Sequence, residues 1–324
     1  MKKVSKFVMM LLMGAMTLGF SACSDSNDDP DNGGEVTTTE MGKIATTYVN
    51  DVIYPTYKDL ASNAQTLYEA CQNLWAKEQA KTLTQADIDA ACEAFKNTRR
   101  YWEQSEAFLY GAASDNDIDP HIDSWPLDHD GLVSALNNAD IIKGIKGENP
   151  DKFIYNSWND AFGSVLGFHG LEFVLFRNGA NRTLEAINAG KETETGLESV
   201  NTSDEIAFAA AVAGDLRNMI FMLEYGWVGT SIEANRMAQL NNASWVLQGT
   251  RYAGLSKAGI GYGDYLLKAG NGGFFSSWQE TLQNIFVGGC SNICQEVYTQ
   301  KLGQAYRVAI GKPEVGEEGE DSGD

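Results

Sequence analysis

Two stripes of mostly apolar residues run through the chain at alternating spacings of three and four residues, and they constrain its fold more than any other feature. The first stripe contains Ile88, Cys92, Phe95, Arg99, Trp102, Glu106 and Leu109. The second contains Tyr155, Trp158, Phe162, Val165, His169, Glu172 and Phe176. Because these spacings place side chains on one face of an α-helix, each stripe predicts a helix packed within a bundle.

Local signals predict where these helices begin and end. Thr84 followed by Asp87 is typical of a capping box and predicts the start of the helix that carries the first stripe. The second stripe predicts one continuous helix over about residues 152–176. The Asp-rich residues 111–128 are expected to form a long loop, in which His121 is exposed to solvent.

The second half of the chain has the same helical character. Further stripes run from Ile206 to Trp227 and from Trp278 to Val297. Between them, the glycine-rich residues 249–273 include a Gly-x-Gly-x-Gly run, but no strand precedes it, so it predicts loops rather than a nucleotide site. No segment alternates as strands do. The predicted fold class is therefore all-α, with two helical bundles packed around a central cleft.

The first residues predict a lipoprotein signal. Three lysines precede an apolar run at residues 7–20, which is too short and wrongly flanked for a stable membrane span. The run leads into Ser21-Ala22-Cys23, which resembles a bacterial lipoprotein cleavage box, so Cys23 is expected to carry lipid. An ordinary secretory signal is the alternative. Acylated Cys23 would anchor the protein in outer-membrane lipid, on the periplasmic face or at the cell surface.

Changes in composition divide the chain into five parts. They are a signal peptide at 1–22, a flexible acidic tether at 23–38, a first helical bundle at 39–190, a second at 200–312 and a disordered acidic tail at 313–324. Four cysteines fall within the bundles, and the sequence does not choose among their three pairings. They are Cys71, Cys92, Cys290 and Cys294.

Charge and histidine content exclude several functions. With 24 Lys and Arg against 44 Asp and Glu, the net charge is −20, whereas nucleic-acid binding needs clustered cations. The chain has only three histidines, which excludes a His-rich metal cage. Any metal site would therefore consist mainly of carboxylates.

The segment Gly167-x-His169-x-x-Glu172 is the first candidate for a binding or catalytic motif. A histidine and a glutamate three residues apart share one helix face, and both lie on a stripe that otherwise buries aromatic residues. Such groups are costly to bury unless they pair or bind something. A purely structural His–Glu pair is the alternative. The nearby Gly163, Gly167 and Gly170 indicate that a neighbouring backbone or a ligand comes close.

Two further segments carry acids. Arg99, Glu103 and Glu106 share a helix face. Either the two glutamates face a polar cleft and Arg99 orients one of them, or Arg99 and a glutamate form a buried ion pair. Trp125 and a proline precede Asp128, which either points into a site or caps the next helix.

Taken in order, three motifs resemble the imelysin-like family, also called the M75 peptidase family. They are Trp-Glu-x-x-Glu-Ala-Phe at 102–108, Trp-Pro-x-Asp at 125–128 and Gly-x-His-x-x-Glu at 167–172. The resemblance covers about residues 43–312 and implies a cleft between two bundles. The implied metal ligands are His169, Glu172, Glu103, Glu106 and Asp128, supported by Arg99, Trp102, Trp125, Gly167 and Gly170. Family members usually continue beyond the last helix, so a truncated chain or a shorter second bundle is expected.

The resemblance implies binding of a metal ion or iron compound in iron uptake, since the family includes iron-regulated lipoproteins. Imidazole and carboxylate ligands suit iron, with Zn or Mn as alternatives. An iron-transport membrane protein would be a partner. An M75-type metallopeptidase is the second reading, although the sequence has no His-Glu-x-x-His motif. A third is a surface lipoprotein whose cleft binds a protein or glycan. The sequence thus favours a binding protein over an enzyme.

Overall fold

Helices account for nearly all of the regular structure. The computed structural model describes residues 37–191, 196–247, 261–270 and 272–309. Its α-helices are α1 Thr38–Tyr48, α2 Tyr54–Ala80, α3 Gln85–Gln104, α4 Ala112–Asp115, α5 Ile118–Ile122, α6 His129–Leu136, α7 Ala139–Ile145, α8 Pro150–Ser157, α9 Gly167–Leu175, α10 Leu184–Asn188, α11 Thr202–Val228, α12 Ala234–Asn242, α13 Tyr262–Leu266, α14 Trp278–Gln283, α15 Asn292–Glu296 and α16 Gly303–Ala309. The prediction of an all-α fold is confirmed.

Shorter helical turns and one hairpin complete the described chain. The π-helical segments are Val49–Ile53, Trp158–Phe162, Asn284–Ser291 and Val297–Leu302, and the 3₁₀ turns are Glu106–Phe108, Gly163–Val165, Gly229–Ser231 and Ser244–Leu247. Strands β1 Phe176–Arg177 and β2 Ala180–Asn181 pair antiparallel, with Phe176 opposite Asn181.

Helix α3 begins as the capping box predicts. The Thr84 side chain accepts from the Asp87 backbone N–H, while the Asp87 side chain accepts from the Thr84 backbone. The buried residues Ile88, Phe95 and Trp102 follow along one face. The local signal therefore suffices here, because both ends of the cap lie within four residues of each other.

Helix α11 forms the centre of the fold. It packs most extensively on α2, and also on α8 and α9. Within the described part of the chain, the helical stretch Thr202–Ser231 alone has the length and apolar character of a membrane span, and its apolar window is wholly buried in the protein. It is therefore the core helix of this fold. The predicted bundle boundary at residues 190–200 stays a prediction; α2 and α11, assigned to different bundles, pack within one compact unit.

The predicted continuous helix over residues 152–176 is wrong. Helix α8 ends at Ser157, a π segment and a 3₁₀ turn follow, and α9 begins only at Gly167. Gly163 has φ of 48° and Gly167 has φ of 65°, conformations that an α-helix does not contain. The apolar periodicity continues across the break, so spacing alone hides it.

The predicted loop over residues 111–128 is partly wrong as well. It contains α4 and α5, and α5 buries Ile118, His121 and Ile122. No disulfide joins the four cysteines that belong to the described residues, and Cys71 and Cys92 are buried as thiols. The signal peptide, Cys23, the tether up to residue 36, the Gly259-Ile260 dipeptide and the acidic tail lie outside the described residues.

Candidate functional site

Asp123, just after α5, is the centre of a polar network between α3 and α9. Its carboxylate accepts hydrogen bonds from the Arg99 guanidinium and from Trp102 Nε1, the latter at 2.6 Å. His169 Nε2 lies 3.2 Å from Asp123 Oδ1. Burial alone would raise the pKa of Asp123, but the hydrogen bond from His169 and the charge and hydrogen bond of Arg99 outweigh burial and lower it. Asp123 is therefore an anion held by three donors.

A backbone contact positions Asp123 beside His169. A Cβ atom at Gly167 would lie 1.9 Å from the carbonyl oxygen of Ile122, which is shorter than any real contact. Gly167 also has φ of 65°, which glycine adopts without strain. Only glycine lets the end of α5 touch the start of α9, and this contact brings Asp123 next to His169. The expectation that a backbone approaches these glycines is met at Gly167.

His169 has a carboxylate at each ring nitrogen. Its Nδ1 lies 3.3 Å from Glu172 Oε2, opposite the Nε2 contact with Asp123. Burial lowers the pKa of His169, but hydrogen bonds to Asp123 and Glu172 outweigh burial and raise it. Because ionised carboxylates only accept hydrogen bonds, both ring nitrogens must carry protons for both contacts to be hydrogen bonds. The arrangement therefore stabilises an imidazolium.

The site opens to solvent on the Glu172 side. The Glu172 side chain is 55% exposed, whereas that of His169 is 12% exposed. The Trp125 ring lies over the His169 ring with centroids 4.7 Å apart, and Trp125 is 68% exposed. The expectation that Glu172 is buried with His169 is therefore wrong: the helix break turns this short helix so that its Glu faces outward. An exposed tryptophan covers the imidazole.

Arg99 links the network to the acids of α3. Its Nη2 lies 2.6 Å from Glu103 Oε1, and its guanidinium lies 5.0 Å from the centre of the Phe168 ring. Glu103 itself is exposed. Arg99 is thus held between two carboxylates and an aromatic face, and it offsets part of their negative charge.

Glu106 lies in an acidic environment beyond this network. Burial, followed by repulsion from Glu103, Asp123 and Asp119 and then from Glu296, raises the pKa of Glu106 to about 7. No cation pairs with Glu106 within the described ranges. The Asp119 pKa is raised in the same way, by burial and then by Asp123. Negative charge is therefore in excess on this side of the site.

The predicted ligands do not all come together. Asp123 contacts His169, Arg99 and Trp102, and His169 in turn contacts Glu172. Trp125 lies against the His169 ring, and Glu103 pairs with Arg99. Asp128 does not join them. It is exposed and caps α6 by accepting from the Gly131 N–H at 2.9 Å, which was the structural alternative for this residue. Gly170 is needed for packing, because a Cβ there would lie 2.2 Å from the Val165 carbonyl oxygen.

Sequence reasoning missed two aspartates. Asp123 lies two residues before the Trp125-Pro126 pair, whereas the predicted ligand was Asp128, which follows that pair. The expectation that His121 is solvated is wrong, because His121 Nε2 lies 2.6 Å from Asp215 Oδ2 and both side chains are fully buried. The apolar residues on either side of His121 and Asp123 were the available signal: Ile118 and Ile122 indicate a buried helical turn.

Metal-binding geometry is not preassembled. No group of three or more His, Cys, Asp or Glu side chains is arranged to hold a metal ion within residues 37–191, 196–247, 261–270 and 272–309. The donor chemistry nevertheless includes one imidazole and several carboxylates. A metal would bind here only after the proton on His169 and the hydrogen bond to Glu172 give way.

Comparison with known proteins identifies the family. The family model described as imelysin, peptidase M75, matches residues 53–320. The chain therefore belongs to the imelysin family.

Individual proteins are also similar to this chain. Iron-regulated protein A of Synechococcus elongatus is 36% identical over 88 residues, which is 27% of this chain and 23% of that protein. The crystal structure of a putative iron-regulated protein A precursor from Parabacteroides distasonis has a TM-score of 0.62 at 24% identity, covering 86% of this chain and 65% of that chain. An imelysin-like protein from Psychrobacter arcticum has a TM-score of 0.43 at 15% identity, covering 87% and 98%. The chain thus spans less than two thirds of the first relatives' length.

Proposed function

We propose that this protein is a cell-envelope lipoprotein that binds a metal ion, with iron as its cargo, through His169 and Glu172. The observation that carries the proposal is the imidazole of His169 held between Asp123 and Glu172. Two carboxylates around one imidazole form a site for positive charge that faces solvent. A proton fills that role in the arrangement described here, and a metal ion is the other cation that imidazole accepts.

The two carboxylates have different roles. Asp123 already accepts from Arg99, Trp102 and His169, so it orients the imidazole through Nε2, as carboxylates behind metal-bound histidines do. Glu172 is exposed and accepts only from His169 among the described residues. His169 Nδ1 and Glu172 are therefore the groups that a metal reaches from solvent.

Glu103, on α3, and Glu106, in the 3₁₀ turn that follows α3, complete the proposed ligand set. Glu103 is exposed, and Glu106 lies among acids whose mutual repulsion a cation relieves. An imidazole with carboxylates suits Fe, Mn or Zn. The relative from Synechococcus elongatus is named iron-regulated protein A, which favours iron. Asp128 is left out of the proposed set because its carboxylate caps α6.

The proposed location rests on the sequence. A lipid on Cys23 would hold the protein at the outer membrane, and an iron-transport membrane protein would be its partner. The family name also includes a peptidase, and the absence of His-Glu-x-x-His still predicts no strong peptidase activity. The exposed Trp125 beside His169 favours, as a second candidate, an organic iron compound or glycan ring as the occupant.

Calorimetry tests the proposed metal site. Fe(II) under anaerobic conditions and Zn(II) are titrated into wild type, His169→Ala, Glu172→Gln and the matched control Asp128→Asn, with circular dichroism as the folding check. We expect at least a tenfold loss of affinity for the first two variants and none for the control, about 1.4 kcal/mol or more. Equal binding by all folded variants would show that the motif is structural.

Proton competition gives a second readout. Because the pKa of His169 is raised, the imidazole is protonated up to a higher pH than a free histidine. Metal affinity should therefore rise with pH through and above the usual range near 6.5. A flat affinity profile across this range would contradict imidazole ligation. Incubation of metal-loaded protein with unfolded protein substrates tests the peptidase alternative, for which we expect no cleavage that depends on His169.

A further inference from the structure

A cavity lies between the start of α2, the end of α11 and α13. Its volume is about 530 Å³, within the range of small-molecule sites. Tyr54, Pro55 and Val228 supply ring and apolar surface, while Glu224, Asp59 and Asp264 supply carboxylates. None of the residues of the His169 network lines it. It therefore offers a separate binding site.

Glu224 is the unusual group in this cavity. It pairs with Arg236, and both side chains are 4% exposed. A single nitrogen, Arg236 Nη1, donates to its two oxygens, at 2.6 Å each. A carboxylate has about four acceptor positions, so Glu224 retains acceptor capacity at the wall of a cavity. Burial raises the pKa of Glu224 although Arg236 opposes this shift. A further donor would stabilise the anion.

Arg236 cannot easily move to meet that need. Its Nη2 lies 2.6 Å from Ser62 Oγ and 3.6 Å from Glu233 Oε2. Lys58 and Glu233 also line the cavity at its exposed side, where they pair with each other at 3.1 Å. The two cations near the cavity are therefore each engaged. The acceptor capacity that Glu224 retains is therefore open to a donor from a ligand in the cavity.

The remaining lining selects for positive charge. Among the described residues, no cation lies within ion-pair distance of Asp59 or Asp264. Burial, with Asp264 second, raises the pKa of Tyr54 to about 12, so its hydroxyl stays neutral and its ring provides an uncharged wall. Aromatic faces and carboxylates are the groups that bind ammonium ions.

We propose that this cavity binds a small organic cation, an alkyl ammonium whose nitrogen donates to Glu224 while its carbon chain lies against Tyr54 and Val228. The inference does not depend on the proposed metal site. The ligand should be a small molecule with a charged hydrogen-bond donor, because the cavity combines the buried carboxylate of Glu224 with apolar surface.

Calorimetry with matched probes tests the inference. Diaminobutane is compared with butanediol, which has the same chain and two hydroxyls in place of the ammonium groups, and with Mg²⁺. We expect saturable binding of the diamine, no binding of the diol, and no competition from Mg²⁺. Equal binding of diol and diamine, binding of Mg²⁺ alone, or no diamine binding at millimolar concentration would each overturn the proposal.

Variants locate the binding. Asp264→Asn should lower diamine affinity about tenfold, and Ser231→Trp should abolish binding by filling the cavity while Glu224 and Arg236 stay paired. Glu224→Gln tests the buried anion directly, with thermal unfolding as its folding control. Asp140→Asn removes the same charge from the exposed first turn of α7 and should change nothing. Retention of diamine binding by Ser231→Trp would place the site elsewhere.

His169→Ala separates the two proposals. We expect this variant to lose metal binding and to keep diamine binding. Loss of both by a folded variant would show one shared site and contradict the separate cavity.

Discussion

The acids of the core helix and the acids around His169 are compensated in opposite ways. On α11, buried acids lie beside cationic or basic side chains: Glu205 contacts Arg177 and Arg182, Asp215 contacts His121, and Glu224 contacts Arg236. Around His169, two basic side chains, Arg99 and His169, contact Glu103, Asp123 and Glu172. Glu106 and Asp119 lie nearby, and neither forms an ion pair with a described residue. The first set joins helices, whereas the second leaves negative charge open to solvent. Burial of an acid therefore indicates structure only where its partner is also buried.

Replacing one of the buried acids of α11 should have the largest effect on the free energy of unfolding. Glu205→Ala removes the carboxylate that pairs with Arg182 at 2.6 Å and with Arg177 at 2.9 Å. Breaking such a buried pair costs about 3–5 kcal/mol because the remaining charge stays buried. Urea unfolding of wild type and variant measures this difference. Glu93→Gln, on the exposed face of α3, is the control and should change the free energy of unfolding by less than about 0.5 kcal/mol.

Asp123→Asn should have the next largest effect. Asp123 belongs to the acids around His169, but its side chain is largely buried, as are the acids of α11. Losing charge-assisted hydrogen bonds to Arg99 and His169 should cost about 2 kcal/mol at neutral pH. The Asp123 pKa is lowered by folding, so its contribution is present above the unfolded value near 3.9 and is lost as pH falls through the lower folded value. The variant and wild type should therefore converge in stability at low pH.

The same variant has a readout that packing loss does not change. Removing the Asp123 charge should lower the pKa of His169, which nuclear magnetic resonance follows through the imidazole signals. An unchanged His169 titration in a folded Asp123→Asn protein would contradict the proposed role of Asp123 in holding the imidazolium.

Glu106→Gln should stabilise the protein at pH 8 and leave it unchanged at pH 4. The folded pKa of about 7 exceeds the usual 4.5, so the folded state binds the extra proton and stability falls as pH rises between these values. Glutamine removes the charge that causes this loss. With allowance for solvent screening, we expect a gain of about 1 kcal/mol at pH 8. Chemical unfolding at the two pH values measures it, and destabilisation at pH 8 would contradict excess negative charge.

Asp128 belongs to neither group of acids, because its carboxylate caps α6. Replacing it with asparagine should have the smallest effect on stability. Asparagine caps helices about as well as aspartate, so Asp128→Asn should change stability by less than about 0.5 kcal/mol. Asp128→Ala removes the acceptor for the Gly131 N–H and should cost about 1 kcal/mol. Thermal unfolding of the two variants distinguishes them. Similar losses for both would mean that the carboxylate does more than cap α6.

The sequence predicted those features that depend on neighbours along the chain. The cap at Thr84, the buried face of α3 and the helical character of the second half follow from local spacing. The sequence also indicated that the His and the Glu of the Gly-x-His-x-x-Glu segment need partners, because both lie on an apolar stripe, and His169 does contact Glu172.

The features that were missed depend on contacts between distant segments. At Gly167 the helix break coincides with the approach of the Ile122 backbone, 45 residues earlier in the chain, which no periodicity records. The choice between Asp123 and Asp128 required knowing which one follows a buried turn. His121 looked solvated because Asp215, its partner, is 94 residues away.

The touching backbones of Ile122 and Gly167 also make the spacing between Asp123 and His169 depend on a residue outside that pair. A methyl group at position 167 must push the two segments apart, since its contact at 1.9 Å leaves no room. The displacement would widen the 3.2 Å gap between Asp123 and His169 while leaving every donor atom in the chain. The close backbone contact between Ile122 and Gly167 thus helps to fix the orientation of the His169 imidazole, in addition to the side chains that contact the ring.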